Sequence, residues 1–199
     1  MHTLFQAAIR WELLERNPID LVRQSRRRLK APRVLTPLEF KTLLGQLNEP
    51  YKTMVITIAC LGLRVSELLG LRWGDIDFEN LTLKIQRSFV QGEIYETKTE
   101  ASESVLPLDA NLANMLLAHT AQGPFASDSD YLFAGDSGKP RWPHTMLANY
   151  LKPAAANADI GSIGWHTFRH TYSTLLYGAC NLYHFVPVVN SLLQPSPSE

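Results

Sequence analysis

The stretch LTPLEFKTLLGQLNEPYKTMVITIACLGLRVSELLG, residues 35–70, contains three helix signals in succession. The first is a helix start at TPLE, residues 36–39. Thr36 can cap the helix, Pro37 suits its first turn, and the Glu39 side chain can bond back to the Thr36 amide in a capping box. The sequence therefore predicts a helix that runs from this point to about Leu47.

Two further helices are predicted in the same stretch. The apolar run from Tyr51 to Leu61 indicates a largely buried helix. Gly62 ends that helix, and the sequence RVSELL at residues 64–69 begins a short third one. The domain is therefore expected to start as a group of helices.

Strand patterns follow the helices. Residues 81–85 alternate between apolar and polar side chains, which is the periodicity of a β-strand. Gln-Gly at residues 91–92 is a plausible hairpin turn into a strand at 94–95, and a further strand is predicted at 104–107. These segments predict a small antiparallel sheet.

Helical signals return in the second half of the chain. Asp109 can cap a helix that extends to about Ala121. Residues 131–133 form a brief apolar segment, and helices are predicted at 143–158 and 167–176. The predicted fold class is α+β, mainly α-helical, with a small antiparallel sheet.

Charge is unevenly distributed along the 199 residues. Lys plus Arg and Asp plus Glu each total 19, so the net charge is +0, and the apolar content of 45% supports a buried core. Residues 1–33 contain eight basic and three acidic side chains, a balance of +5, and the remaining 166 residues carry −5. Such asymmetry is typical of a basic arm that contacts a polyanion or a partner.

The basic arm is interpreted as a helix followed by a linker. Residues 1–16 have apolar side chains at helical spacing, and Asn17-Pro18 is expected to stop that helix. Residues 23–33 contain six basic side chains and no acidic one. We interpret them as an extended linker.

Cysteine content and hydropathy exclude several protein classes. Cys60 and Cys180 are the two cysteines and form no C-x-x-C pair, which argues against a disulfide framework or a zinc finger. The longest apolar run, residues 54–63, is about half the ~20 residues of a membrane span. We expect a cytoplasmic protein with no membrane association.

Four short motifs occur in a specific order. They are GLRVSEL at 62–68, L-x-W-x-D-I-D at 71–77, TKT at 97–99 and HTFRH at 166–170. Each motif is weak alone, but their order resembles the tyrosine recombinase (phage integrase) family. The resemblance implies an integrase-like catalytic domain at residues 34–180, with 1–33 as the terminal helix of a core-binding domain plus its linker.

The family's reaction on DNA explains why these residue types are needed. A phosphodiester under attack gathers negative charge on its nonbridging oxygens, and the resemblance implies that Arg64 and Arg169 bind those oxygens with guanidinium forks. It implies Lys98 as proton donor to the leaving 5′-oxygen. His166 would hydrogen-bond the phosphate or take the nucleophile's proton. No metal or other cofactor is expected, and double-stranded DNA is the expected partner, so a DNA-bound protein would be associated with the nucleoid.

Other interpretations of Arg64 and Lys98 stay open. Arg64 can be a surface arginine paired with Glu67, and Glu67 is itself expected to orient Arg64. Lys84 is an alternative to Lys98, because it also lies near the predicted sheet. An exposed lysine of a hairpin can also be only a solvated charge.

The histidines and the linker arginines also have plausible structural roles. His166 and His170 have the spacing of zinc ligands, but Thr167 stands where a zinc-protease motif needs glutamate. His170 is expected to pack against a neighbouring helix, and Trp73 and Phe168 to be core aromatics. Four basic residues of the linker are either only solvated or bind DNA phosphates as a strap. They are Arg26, Arg27, Arg28 and Lys30.

The resemblance ends before the family's nucleophile. The family has an L-G-H segment roughly twenty-three residues after the second arginine and its tyrosine roughly nine further on. This spacing places Leu192 at the histidine and the tyrosine beyond Glu199. Tyr172, Tyr177 and Tyr183 follow Arg169 too closely for in-line attack.

Three functional hypotheses follow from this sequence. The first is a truncated recombinase with a degenerate tail at 181–199, which binds DNA but does not cleave it alone and can receive a tyrosine from a full-length protomer. The second is a non-catalytic DNA-binding regulator that occupies recombination sites. The third is an unrelated helical domain whose motifs coincide.

Overall fold

The computed structural model of the chain describes residues 2–21, 32–96, 104–120 and 123–179. The chain forms two compact units, Met1–Ala31 and Pro32–Glu199. The domain boundaries predicted at residues 33 and 180 stay predictions. No helix among the described residues is long and apolar enough to cross a membrane.

The first unit contains helix α1 (His2–Arg10) and a 3-10 helix (Pro18–Leu21). The prediction of one helix over 1–16 is wrong, because α1 closes earlier. Glu12 has a left-handed φ of 56°, the Glu12 amide bonds to the Ile9 carbonyl, and the Leu13 amide bonds to the Ala8 carbonyl. This pair of hydrogen bonds is a Schellman-type helix end.

The second unit contains helices and short strands, which confirms the predicted mainly helical α+β class. The helices are α2 (Pro37–Gly45), α3 (Tyr51–Leu61), α4 (Val65–Gly70), α5 (Ala110–Thr120), α6 (Pro143–Met146), α7 (Lys152–Asn157) and α8 (Trp165–Ala179). The strands are β1 (Ile76–Asp77), β2 (Thr82–Ile85), β3 (Arg87–Val90), β4 (Glu93–Glu96) and β5 (Ser104–Pro107). A 3-10 helix (Trp73–Asp75) precedes β1, and a π-helical turn (Leu147–Leu151) joins α6 to α7.

The start of α2 has the predicted capping box. The Thr36 hydroxyl accepts from the Glu39 amide at 3.2 Å, and Glu39 Oε2 accepts from the Thr36 amide at 2.8 Å. The hydrogen bond from the Thr36 amide lowers the pKa of Glu39 below its ordinary value. The reciprocal bonds satisfy two amide groups that the helix itself leaves unpaired.

Replacing Thr36 with alanine is expected to lower the free energy of unfolding by about 1 kcal/mol, because one amide at the helix start loses its acceptor. Urea denaturation followed by circular dichroism measures the loss. Thr42→Ala is the matched control, since the exposed Thr42 hydroxyl donates to the Leu38 carbonyl one turn earlier in the same helix and does not cap the helix start. Equal losses in the two variants would contradict the capping role.

The core of the second unit surrounds α3. Most side chains of α3 are buried, and the helix packs against α8. Phe168 of α8 is fully buried, and the buried Thr171 hydroxyl accepts from the Leu35 amide at 3.0 Å. The chain entering α2 is therefore attached directly to α8.

The strands form two sheets rather than the single sheet that was predicted. β2 lies between β1 and β5, and all pairs are antiparallel. β3 and β4 form a separate hairpin with Gln91 and Gly92 at its turn, as predicted. Both turn residues have positive φ, 53° and 91°, which is typical of a two-residue type I′ turn. The periodicity of each strand is local, whereas its choice of partner depends on distant residues.

Candidate functional site

The turn after α3 contains two residues of the GLRVSEL motif, Gly62 and Arg64. Gly62 has φ +64° and ψ 24°, and its amide closes α3 on the Ile58 carbonyl at 2.8 Å. Glycine suits this left-handed conformation because it has no Cβ. Two residues later, Arg64 is extended and occupies the N-cap position of α4.

Arg64 is held by Glu67 through two hydrogen bonds. Glu67 Oε2 accepts from the Arg64 amide and Oε1 accepts from Arg64 Nη1, each at 2.7 Å. The side chain of Arg64 is 60% exposed, whereas that of Glu67 is only 17% exposed. The carboxylate therefore fixes a guanidinium that still faces solvent.

Arg169 approaches the same carboxylate from α8. Its Nη1 donates to the Gly62 carbonyl at 2.6 Å and lies 3.9 Å from Glu67 Oε2. Glu67 thus lies between two guanidinium groups, and its negative charge offsets their repulsion. We call Arg64 and Arg169 the arginine pair.

The arginine pair keeps hydrogen-bond donors for an anion. Among the described residues, the bonds and ion pairs of both side chains use Nη1, while Nε and Nη2 have no protein acceptor. A guanidinium has five N–H donors in a planar fork that matches two oxygens of a phosphate or carboxylate. The arrangement can bind an oxyanion.

His166 and His170 lie on the exposed side of α8, and their ring centroids are 6.3 Å apart. His166 precedes Arg169 by one helical turn, so both side chains lie on similar faces of the helix. The prediction that His170 packs against a neighbouring helix is wrong, because its side chain is exposed. The prediction that Trp73 and Phe168 are core aromatics is confirmed, since both are buried.

The remaining predicted site residues lie outside the described part of the chain. They are Lys98 and the linker residues Arg26, Arg27, Arg28 and Lys30. The alternative lysine, Lys84, is exposed on β2 and pairs in register with Val105 of β5. In sequence, Lys98 follows the last residue of β4 by two positions.

A largely buried ion pair joins Arg87 to Asp75, and no sequence pattern predicted it. Arg87 Nη1 donates to both carboxylate oxygens of Asp75, at 2.9 and 2.8 Å, and the side chains are 15% and 4% exposed respectively. Asp75 Oδ2 also accepts from the Arg72 amide at 2.8 Å. The backbone of Arg87 packs so closely on Gly70 that a Cβ there would collide with it. The ion pair and this contact attach the β3–β4 hairpin to the end of α4.

Of the three tyrosines that follow Arg169 in the sequence analysis, Tyr172 is the one whose side chain the structure describes. Its ring packs against Gly62 and is half-buried. Burial raises the pKa of Tyr172, Cys60 raises it further and Arg169 lowers it, while burial raises the pKa of the Cys60 thiol to about 12. The surroundings of Tyr172 therefore disfavour the phenolate, which is the nucleophilic form of the side chain.

Other candidate sites do not include the arginine pair. A cleft of about 440 Å³ lies between aromatic and charged side chains, among them Trp73, His119, Tyr131 and Arg141, and none of the predicted catalytic residues borders it. The described residues contain no group of three or more His, Cys, Asp or Glu side chains that could hold a metal ion. The arginine pair is therefore the best candidate for binding an anionic substrate.

Comparison with known proteins points to one family. The model of the phage integrase family matches residues 33–181. The chain is 32% identical over 140 residues to a tyrosine recombinase XerC-like protein of Caldanaerobacter subterraneus subsp. tengcongensis, covering 58% of this chain and 36% of that protein. It is 26% identical over 188 residues to the ICEBs1 integrase of Bacillus subtilis strain 168, covering 87% and 50%. The chain thus spans half or less of the length of these relatives.

Solved structures share the fold. The Tn1549 transposon integrase, solved in complex with circular intermediate DNA, superposes with a TM-score of 0.71 and 21% identity over 98% of this chain and 73% of that one. The XerA recombinase superposes with a TM-score of 0.59 and 20% identity over 96% and 65%. The helices and small sheets therefore adopt the architecture of these recombinases.

Proposed function

The chain belongs to the phage integrase family, and from this membership we propose that it binds double-stranded DNA and holds one phosphodiester in a pocket formed by the arginine pair, His166 and Lys98. One observation carries the proposal. Arg64 and Arg169, 105 residues apart in sequence, converge on Glu67 and keep free guanidinium donors. A buried or fully paired arrangement would not be able to accept a phosphate.

The proposed chemistry uses the charges of this pocket. The two guanidinium forks bind the nonbridging oxygens, where charge develops in the transition state of phosphoryl transfer. His166, exposed one turn before Arg169, hydrogen-bonds the phosphate or accepts the proton of the attacking hydroxyl. Lys98 protonates the leaving 5′-oxygen. Glu67 keeps the two arginines close together.

For these 199 residues we propose DNA binding without strand cleavage by the chain alone. The family's spacing places the tyrosine outside residues 1–199. The packing of the Tyr172 ring against Gly62 and its raised pKa support this proposal, because the ring is held by its neighbours and its surroundings disfavour the nucleophilic phenolate. Recombinase protomers that carry the tyrosine are the proposed protein partner.

The basic linker has a separate proposed role. The linker residues bind phosphates of the DNA duplex and do not read its base sequence; they are Arg26, Arg27, Arg28 and Lys30. These phosphate contacts hold the protein on DNA even though its net charge is +0.

DNA affinity measured across a salt series tests the pocket. We expect Arg64→Gln and Arg169→Gln each to weaken binding of a labelled duplex about tenfold and to reduce the salt slope by about one, because each removes a charged hydrogen bond to phosphate. Arg141→Gln is the matched control, since its guanidinium is engaged by Ala134 and Asp136 away from the pocket. If Arg169→Gln leaves salt-dependent DNA binding unchanged, the result favours a non-catalytic DNA-binding regulator. If the protein has no measurable DNA affinity at low salt, the result favours an unrelated helical domain.

Nicked suicide duplexes test the absence of cleavage. The duplexes carry the sequence that the protein itself selects from a random pool, and covalent adducts are detected on denaturing gels. We expect no adduct from the chain alone. An adduct would contradict this part of the proposal, and its loss in Tyr172→Phe would identify Tyr172 as the nucleophile.

A further inference from the structure

The ring of Tyr172 fills the space that Gly62 leaves by having no side chain. A Cβ built on Gly62 would overlap Cδ1 and Cε1 of the ring. Gly62 also has a left-handed φ of +64°, so its conformation and its surroundings both require glycine. The contact joins the end of α3 to the middle of α8.

Arg169 contacts the same glycine from the same helix. Its Nη1 donates to the Gly62 carbonyl at 2.6 Å, while Tyr172 covers the α carbon. Residues three apart on a helix are neighbours on its surface. The orientation of the Gly62 carbonyl, and with it the direction of the Arg169 guanidinium, therefore depends on a peptide that the Tyr172 ring holds in place.

We propose that Tyr172 is a positioning residue for the phosphate pocket: its ring fixes the Gly62 turn so that the carbonyl holds Arg169 Nη1 and directs the other guanidinium donors toward DNA. This inference rests on the proposed function. It assigns to Tyr172, three residues after Arg169, a role that acts on DNA only through the Gly62 turn and Arg169.

The surroundings of Tyr172 indicate that its ring rather than its hydroxyl performs this role. No hydrogen bond joins the phenol to another of the described residues. Its neighbours are Gly62, the buried thiol of Cys60 and the charge of Arg169. Phenylalanine should therefore replace tyrosine without loss, whereas a non-aromatic side chain should not.

A double-mutant cycle in DNA affinity tests the inference. Affinity of the full chain for a short labelled duplex is measured for Tyr172→Leu and Tyr172→Phe, each with Arg169 intact and with Arg169→Gln. We expect Tyr172→Phe to stay within about twofold of the unmodified chain, and Tyr172→Leu to weaken binding about fivefold with Arg169 intact. With Arg169→Gln we expect no further loss from Tyr172→Leu, because both side chains act through the same Gly62 turn and are therefore coupled.

The matched control is Tyr150→Leu in the same two backgrounds. Tyr150 stacks on Tyr51 with ring centroids 3.9 Å apart, and neither ring contacts Arg169. A general loss of stability would act equally in both backgrounds, so Tyr150→Leu should show no coupling to Arg169. If Tyr172→Leu does not fold, Tyr172→Met, whose flexible side chain fills irregular space, is measured in its place.

The possible results separate the two proposals. If Arg169→Gln leaves DNA affinity unchanged, the proposed function fails and the inference with it. If Arg169→Gln weakens binding but Tyr172→Leu has no effect, or the same effect in both backgrounds, the inference alone is overturned. Coupling together with full binding by Tyr172→Phe supports it.

Discussion

Asp75→Ala is expected to lower the free energy of unfolding by about 3–5 kcal/mol, because it leaves the Arg87 guanidinium buried without its carboxylate. The variant also removes the acceptor for the Arg72 amide at the start of a 3-10 turn. Breaking one side of a buried ion pair is far more costly than removing a surface one. Urea denaturation followed by tryptophan fluorescence measures the change.

Two controls separate the buried charge from other effects. Asp77→Ala removes an exposed carboxylate whose partners are the Glu79 and Asn80 amides and the Asn80 side chain, and its loss should be clearly smaller. Asp75→Leu combined with Arg87→Met should recover part of the loss, since no charge then stays buried. If Asp75→Ala loses no more stability than Asp77→Ala, the ion pair has no structural role.

Local signals in the sequence predicted much of the secondary structure. The capping box at Thr36, the helix end at Gly62 and the turn at Gln91-Gly92 are each encoded within a few neighbouring residues, and the structure confirms all three. The helix cap at Asp109 is a fourth, since its Oδ1 accepts from the Asn111 amide at 2.9 Å. Such features depend on backbone geometry that one or two side chains decide.

Features that depend on distant residues were not predicted. The division of the strands into two sheets and the Asp75–Arg87 pair both require residues that only folding brings together. The early end of α1 at Glu12 was missed for another reason. A left-handed glutamate has no signal in the sequence, because nothing in the pattern of residues 11–16 breaks the helical spacing.

The contacts of the candidate site also divide into those set by neighbouring residues and those set by distant residues. Order and residue type placed Arg64 and Arg169 in one site, and the contact between Arg64 and Glu67 was expected from their i,i+3 spacing. The Gly62 carbonyl as acceptor for Arg169 was not expected, because it depends on how α3 packs against α8, 107 residues apart in sequence. The sequence therefore predicts which residues belong to the candidate site better than it predicts the contacts that each of them makes there.

The motif HTFRH has buried Thr167 and Phe168 between the exposed His166 and the partly exposed Arg169, and Phe168 shows what the buried residues contribute. Phe168→Ala is expected to lower the free energy of unfolding by about 3–5 kcal/mol, because its fully buried ring would leave a cavity beside α3 and Trp165. Thermal and urea denaturation measure the loss. Phe78→Ala, which removes a half-buried ring, should lose markedly less.

The DNA affinity of Phe168→Ala distinguishes support of the fold from a direct role in the pocket. His166 and Arg169 face outward on either side of Phe168, so at a temperature where the variant is folded its salt slope should equal that of the unmodified chain. His170→Ala, on the exposed side of the same turn, should change stability by less than about 0.5 kcal/mol. A lowered salt slope in folded Phe168→Ala would mean that packing under α8 directs the arginine itself. In that case the buried residues of the motif help to position the exposed ones, and our assignment of separate roles to the two groups is wrong.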